Sequence, residues 1–208
     1  MRMSLRGRWI PSTVAIAAAA QLMSLALVAA EPAAARSADA GGSAGGSEVR
    51  ASSQVLDVWV VKAEGLLVAV AEAMPADKYP FAPTDGEFKG VRTFAQQVKH
   101  AAATNFILGA AILGEKPPAD AGDETGPEVV RTKPEIVKYL KDSFAYLHKA
   151  AAAIDAGNAV IKSTPISPLQ ANATRLGLAV EAIAHLAIHY GQMVEYLRMN
   201  GVVPPASR

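Results

Sequence analysis

The 208-residue chain has no cysteine. Disulfides, thiolate metal sites and a C-x-x-C-H haem attachment are therefore excluded. Any bound metal must take histidine, carboxylate or backbone oxygen. Aromatic residues make up only 6% of the chain, and sheet-rich cores normally draw on them. Neither sign of charge is in excess: 20 Lys and Arg stand against 19 Asp and Glu, with no basic block. Nothing offers the electrostatic footprint of a nucleic-acid binder, so no such partner is expected. No internal repeat of solenoid length is visible.

Apolar residues are abundant, at 51%, and alanine supplies much of that share. This composition favours close-packed helices. The N-terminus reads as a targeting segment. Arg2, Arg6 and Arg8 precede the apolar run Val14 to Ala30, "VAIAAAAQLMSLALVAA", and small residues then permit cleavage after Ala30 or Ala35. That is the pattern of a secretory signal peptide without a twin arginine. The run is short and alanine-rich for a spanning helix. The expectation is an exported, periplasmic or secreted protein with no membrane span after cleavage, tethered only if uncleaved. Residues 1–35 form the signal peptide, 36–52 a flexible Gly/Ser/Ala linker, and 53–208 the folded domain.

Four helices are expected in that domain. The first runs from about Ser53 to Ala73; its β-branched stretch Val58 to Val61 is outweighed by length and an alanine-rich end. Capping boxes start the others: Thr84 with Glu87, Thr132 with Glu135, Ser167 with Gln170. They predict helices from about Gly86 to Gly114, Lys133 to Gly157, and Pro168 to Asn200, with Gly157 and Gly201 just beyond the last two ends. The stretch "EKPPADAGDETGPEVVRT" is too long for a simple hairpin between neighbours. It predicts an all-α four-helix bundle with a long crossover connection between helices 2 and 3.

The chain has only four histidines. His185 and His189 are spaced i, i+4, so both imidazoles leave one helix face. On a helical wheel Leu176, Val180, Ile183, Ala187, Val194 and Leu197 form an apolar stripe. The opposite stripe holds Thr174, Leu178, Glu181, Ala182, His185, His189, Gln192 and Tyr196. A solvated face normally carries several charges, whereas this one carries Glu181 alone. It reads as polar but enclosed, and enclosed polar groups need partners. His100 sits on a similar stripe of helix 2, with Thr93, Gln96 and Thr104. If the two stripes face one another, three imidazoles converge, and three histidines with an open position suit zinc or a similar divalent ion. Glu181 is a candidate acceptor orienting an imidazole, or else faces water. Gln192, Tyr190 and Tyr196 are further hydrogen-bonding candidates. No catalytic base or nucleophile is assigned. His148 reads as a surface residue or a satisfied polar contact.

These residues resemble a known family. "DKYPFAPTDGEFKGVRTFAQQVKHAAATNFILGAAILGEKPP" is similar to the second-helix region of the DinB-like superfamily. "AHLAIHYGQMVEYLRMNGVVPPASR", with its H-x3-H-x-G-Q pattern, is similar to the family's final helix. The resemblance spans roughly Ser53 to Arg208. It implies a four-helix bundle with a long crossover and a histidine triad at His100, His185 and His189. It also implies a divalent metal, with zinc first and nickel or iron as alternatives. Some relatives are thiol-dependent S-transferases or isomerases that use low-molecular-weight thiols. The signal peptide departs from those cytoplasmic members and weakens the thiol reading.

Three functions remain open on this evidence. One is a metal-dependent transferase or hydrolase with a small-molecule substrate. Another is a non-catalytic metal-binding module of the cell envelope. In the third, the histidines are hydrogen-bonded residues between helices and the bundle serves as a homodimer or partner surface.

Overall fold

The β-branched run Val58–Val61 lies inside a helix, because its neighbours repeat at helical spacing. Leu56, Val60, Ala63, Leu67, Val70 and Ala71 are the buried residues of α1, Ser52–Ala73. The computed structural model describes residues 51–84, 90–118, 124–162 and 173–208. Three more helices follow: α2 (Phe94–Leu113), α3 (Lys133–Ala152) and α4 (Arg175–Met199). The signal-peptide reading, and the linker reading as far as residue 50, lie outside the described residues. No helix among the described residues is long and apolar enough to cross a membrane.

The capping chemistry explains where these helices start. At α3 the expected box forms: the Thr132 N–H donates to Glu135 Oε2 at 2.9 Å, and the Arg131 N–H donates to the same oxygen at 3.0 Å. These donors hold the Glu135 carboxyl below the ordinary carboxylate range.

The expected start of helix 2 near Gly86 is corrected to Phe94. Thr93 and Gln96 form a box of the same kind, with Thr93 N–H to Gln96 Oε1 at 2.8 Å and Gln96 N–H to Thr93 Oγ1 at 3.2 Å. The preceding loop also takes two of the helix's orphan donors, Phe94 N–H on the Phe81 carbonyl and Ala95 N–H on the Tyr79 carbonyl. Glu87, the partner of Thr84 in the expected box, lies outside the described residues.

Helix 4 starts at Arg175 rather than Pro168, with the Gly177 N–H donating to Thr174 Oγ1 at 3.1 Å. Ser167 and Gln170 lie outside the described residues. Helix 3 stops at Ala152, short of Gly157. There the Asp155 carboxylate accepts from the Gly157 and Asn158 N–H groups, and the Asn158 amide donates to the Ala153 carbonyl. This local side-chain bonding outcompetes another helical turn. Gly201, at φ +70°, ends α4 as expected.

Side-chain pairs fix the helix directions. Along α2 and α3, Asn105 meets Ser143 and Glu115 meets Tyr146 and Lys149, so these helices run parallel. Lys133 meets the Met74 carbonyl while His148 meets Asp57, so α1 and α3 are antiparallel. Tyr196 meets the Arg92 carbonyl while His189 meets Gln97, so α2 and α4 are antiparallel. Each of α1 and α2 packs on both α3 and α4, which sets α1 and α2 on one diagonal of the bundle.

Parallel α2 and α3 require their connection to travel the helix length, about 30 Å for 20 residues. Residues 114–118 and 124–132 are the described parts of the expected crossover. At Gly126 it comes close to α2: a Cβ there, at φ +74°, would stand 3.1 Å from Lys99 Cβ and 3.3 Å from the Lys99 carbonyl. Both the backbone angle and the close approach demand glycine there.

The core runs between all four helices, with Leu67, Phe94, Phe144, Leu140, Leu186 and Met193 fully buried. One wheel assignment is corrected. Val194 and Leu197 are buried as expected, but Val180 is 54% exposed, and Ala187 is exposed too. They leave the core because the upper part of that stripe borders an open apolar groove, where Leu176, Val180 and Ile183 face Val55 and Trp59 of α1. The face carrying Leu178, Ala182, His189 and Tyr196 is the buried one.

Candidate metal centre

His100 stands in the middle of α2, and His185 and His189 lie one turn apart on α4. The antiparallel packing of these helices brings all three imidazoles together. His100 and His189 are buried and His185 is partly so. His185 Nε2 lies 3.1 Å from His100 Nε2 and 3.0 Å from His189 Nε2.

The opposite ring nitrogens settle the tautomers. His100 Nδ1 lies 2.5 Å from the Glu124 carbonyl oxygen, and His189 Nδ1 lies 2.8 Å from Gln97 Oε1. Both partners only accept, so both Nδ1 atoms must donate. In the neutral rings the lone pairs are then on Nε2, and they point at one locus. His185 Nε2 has one in-plane site, a proton or a lone pair, and can satisfy only one of its two neighbours. His185 Nδ1 is itself buried without a hydrogen-bond partner among the described residues.

A cluster of imidazoles is thus left under-satisfied as hydrogen-bonding groups but well formed as a ligand set. Tetrahedral zinc with Zn–N bonds of 2.0–2.1 Å separates its nitrogens by about 3.3–3.4 Å, close to the distances here. The donor set fits a divalent ion of the zinc, nickel or iron type.

The electrostatics agree with neutral rings. Burial, then the neighbouring His189 and His100 and the Arg92 charge, push the His185 imidazole down to about 3. Burial and His100 push His189 down to about 4, with the Gln192 side chain opposing and Arg92 adding. Burial lowers His100 too, and its bond to the Glu124 carbonyl partly opposes this. Protons therefore compete weakly for these nitrogens at neutral pH.

Of the other residues singled out from the sequence, Glu181 and Gln192 are exposed on α4. The Tyr196 hydroxyl donates to the Arg92 carbonyl at 2.9 Å. His148 lies away from the cluster as a satisfied polar contact, bracketed by Asp57 at 2.6 Å and Glu64 at 3.1 Å. Gln97 and the Glu124 carbonyl, which the imidazoles of His189 and His100 meet, were not anticipated. Gln97 was legible in principle, being one turn before His100 on α2. The Glu124 carbonyl carried no signal, because a main-chain oxygen on a crossover has no residue-type signature.

Gln97→Leu should lower metal affinity by about 10- to 100-fold, the usual cost of losing such an orienting partner. Competition titration against a chromophoric chelator measures this; an unchanged affinity would show that Gln97 does not tune His189.

A family model described as the DinB superfamily matches residues 60–193, a span that includes all three histidines. No curated protein matches the chain.

Proposed function

The chain belongs to the DinB superfamily, and on that premise we propose that it holds one divalent metal ion, zinc by preference, on His100, His185 and His189. One observation carries the reading. The Nε2 atoms of His100 and His189 both lie within hydrogen-bond distance of His185 Nε2, while the Nδ1 atoms of His100 and His189 are committed to acceptors. That is the arrangement of ligands, with their outer partners already in place.

The further reading is an exported metal-dependent transferase or hydrolase acting on a small molecule. Three protein ligands leave a fourth tetrahedral position, as in catalytic rather than structural zinc sites. A zinc ion there supplies Lewis acidity that favours the deprotonated form of a bound water or thiol. The chain supplies the rest. Burial keeps the imidazoles neutral, and Gln97 and the Glu124 carbonyl fix the orientation of His189 and His100.

A second reading, metal binding without turnover, draws support from the groups available to assist. Glu181 is exposed, and the Tyr196 hydroxyl is already engaged by the Arg92 carbonyl.

The test is metal content by mass spectrometry on untagged protein, beside a His100→Ala, His185→Ala, His189→Ala triple variant. We expect close to one metal per chain, lost in the triple variant. Equal, negligible metal in both after reloading would overturn the proposal. Metal-dependent turnover of ester, amide or thiol-plus-electrophile substrates then separates the two readings.

A further inference from the structure

The open groove between α1 and α4 runs along the α4 stripe opposite the histidines. Its wider part, about 590 Å³, is lined by Val55 and Trp59 of α1 and by Leu176, Val180 and Ile183 of α4. A narrower part of about 230 Å³ continues it between the same helices. It shares Trp59 and Ile183 and adds Ala187, Tyr190 and Lys62. The wider part has the size and apolar walls of a small-molecule site. Val55, Trp59 and Val180 are each about half exposed, and covering such side chains is favourable.

The groove carries charge of one sign. Among the described residues Lys62 is the one charged residue lining either part. Its ammonium lies 5.0 Å from the centre of the Trp59 ring, within cation–π reach, and Trp59 is where the two parts meet. The acids of α1 are engaged on α3, Asp57 and Glu64 with His148 and Glu72 with Lys141. A cation beside an apolar trough complements an occupant with an apolar body and an anionic end. A second copy of the chain fits less well: a two-fold contact presents the same patch twice, here two lysines and, among the described lining residues, no acid.

We propose that this groove binds an acidic single-chain amphiphile, a long-chain carboxylate. Its chain lies along the wider part, and its carboxylate sits beside Lys62. The site is separate from the histidine cluster and does not depend on the metal reading.

The test is calorimetric titration of the metal-free protein, so that no metal ion takes the carboxylate. The probes are dodecanoate, octanoate and dodecyltrimethylammonium, each below its micelle threshold. Dodecanoate should bind at one per chain and at least about tenfold tighter than octanoate, since each buried methylene is worth up to about fourfold. It should also bind about two- to fivefold tighter than the ammonium of equal chain length, the scale of an ion pair open to water. Lys62→Gln should remove that preference. Val180→Trp fills the wider part from an exposed position and should weaken dodecanoate at least about tenfold, with helix content unchanged. Absence of saturable dodecanoate binding overturns the proposal, as does equal affinity in wild type and Val180→Trp. Equal affinity for the two head groups in wild type, or a preference that survives Lys62→Gln, overturns the acidic assignment. A wild-type dimer that Val180→Trp dissociates, with no dodecanoate bound, overturns it in favour of a second copy. Sedimentation with phosphatidylglycerol vesicles without binding of monomeric dodecanoate overturns it in favour of a membrane surface.

Discussion

Taking the metal-free protein from pH 7 to pH 5 should cost it about 4 kcal/mol of folding stability. The sign follows from which state binds protons. In the unfolded chain an imidazole titrates near its ordinary 6.5. In the folded chain burial and mutual repulsion hold His185 at about 3 and His189 at about 4. Above pH 6.5 both states are neutral and nothing is lost. Below it the unfolded chain takes up protons that the folded chain refuses, so stability falls as the pH falls. At pH 5 each ring contributes about 2 kcal/mol, from 1.36 kcal/mol per unit over the interval below 6.5. His100 acts in the same direction. The lowered carboxyls of Glu115 and Glu135 act only below their ordinary value of 4.5, so they do not enter this window. Urea midpoints of metal-free protein at the two pH values measure the effect. A triple variant with glutamine at the three positions should show little of it. An unchanged wild-type midpoint would mean that the rings are not held neutral by the fold.

How much of this was legible in the sequence differs by level. The four helices and the crossover were, because helical spacing and the length of the α2–α3 connection are properties of the chain alone. Helix starts were legible only where a single box was on offer. Thr132 with Glu135 had no competitor, and α3 begins where expected. Ahead of α2, Thr84 with Glu87 and Thr93 with Gln96 are boxes of equal quality as sequence. The choice fell to the second because the Tyr79 and Phe81 carbonyls fold back onto the first turn. That contact is tertiary and leaves no local mark.

The cluster shows the same division. Its histidines stood out through an enclosed stripe with too little charge, and the structure brings all three together. What orients them was hidden to differing degrees. Gln97 shares a helix with His100 and is within reach of a wheel argument once α4 is known to face it. The Glu124 carbonyl arrives only because parallel α2 and α3 force the chain back along α2. The assignment of Val180 and Ala187 to the core failed because amphipathicity alone cannot say whether the partner of an apolar stripe is fully present. Here α1 covers that stripe only in part, and the groove stays open.

The shifts that make the metal-free fold sensitive to acid should make the metal-bound fold tolerant of it. At neutral pH, zinc at about a thousand times its Kd should stabilise the protein by about 4 kcal/mol, provided it binds the folded chain alone. For a bundle of this size that raises Tm by about 8–16 °C, with no rise in the triple histidine variant. The pH dependence is the sharper test. Three histidines titrating near 6.5 would each lose ground to protons below that value, costing up to about four powers of ten in affinity by pH 5. Here His185 and His189 compete with protons only near pH 3 to 4, and His100 is lowered as well. Zinc affinity measured by competition at pH 7 and pH 5 should therefore fall by far less, about tenfold or under. A loss of several powers of ten would mean that the imidazoles titrate as exposed side chains do, and the enclosed, pre-oriented cluster would not be their state in solution. Retention of zinc at pH 5 together with acid loss of stability in the metal-free protein would tie both effects to one cause, the burial of neutral imidazoles between α2 and α4.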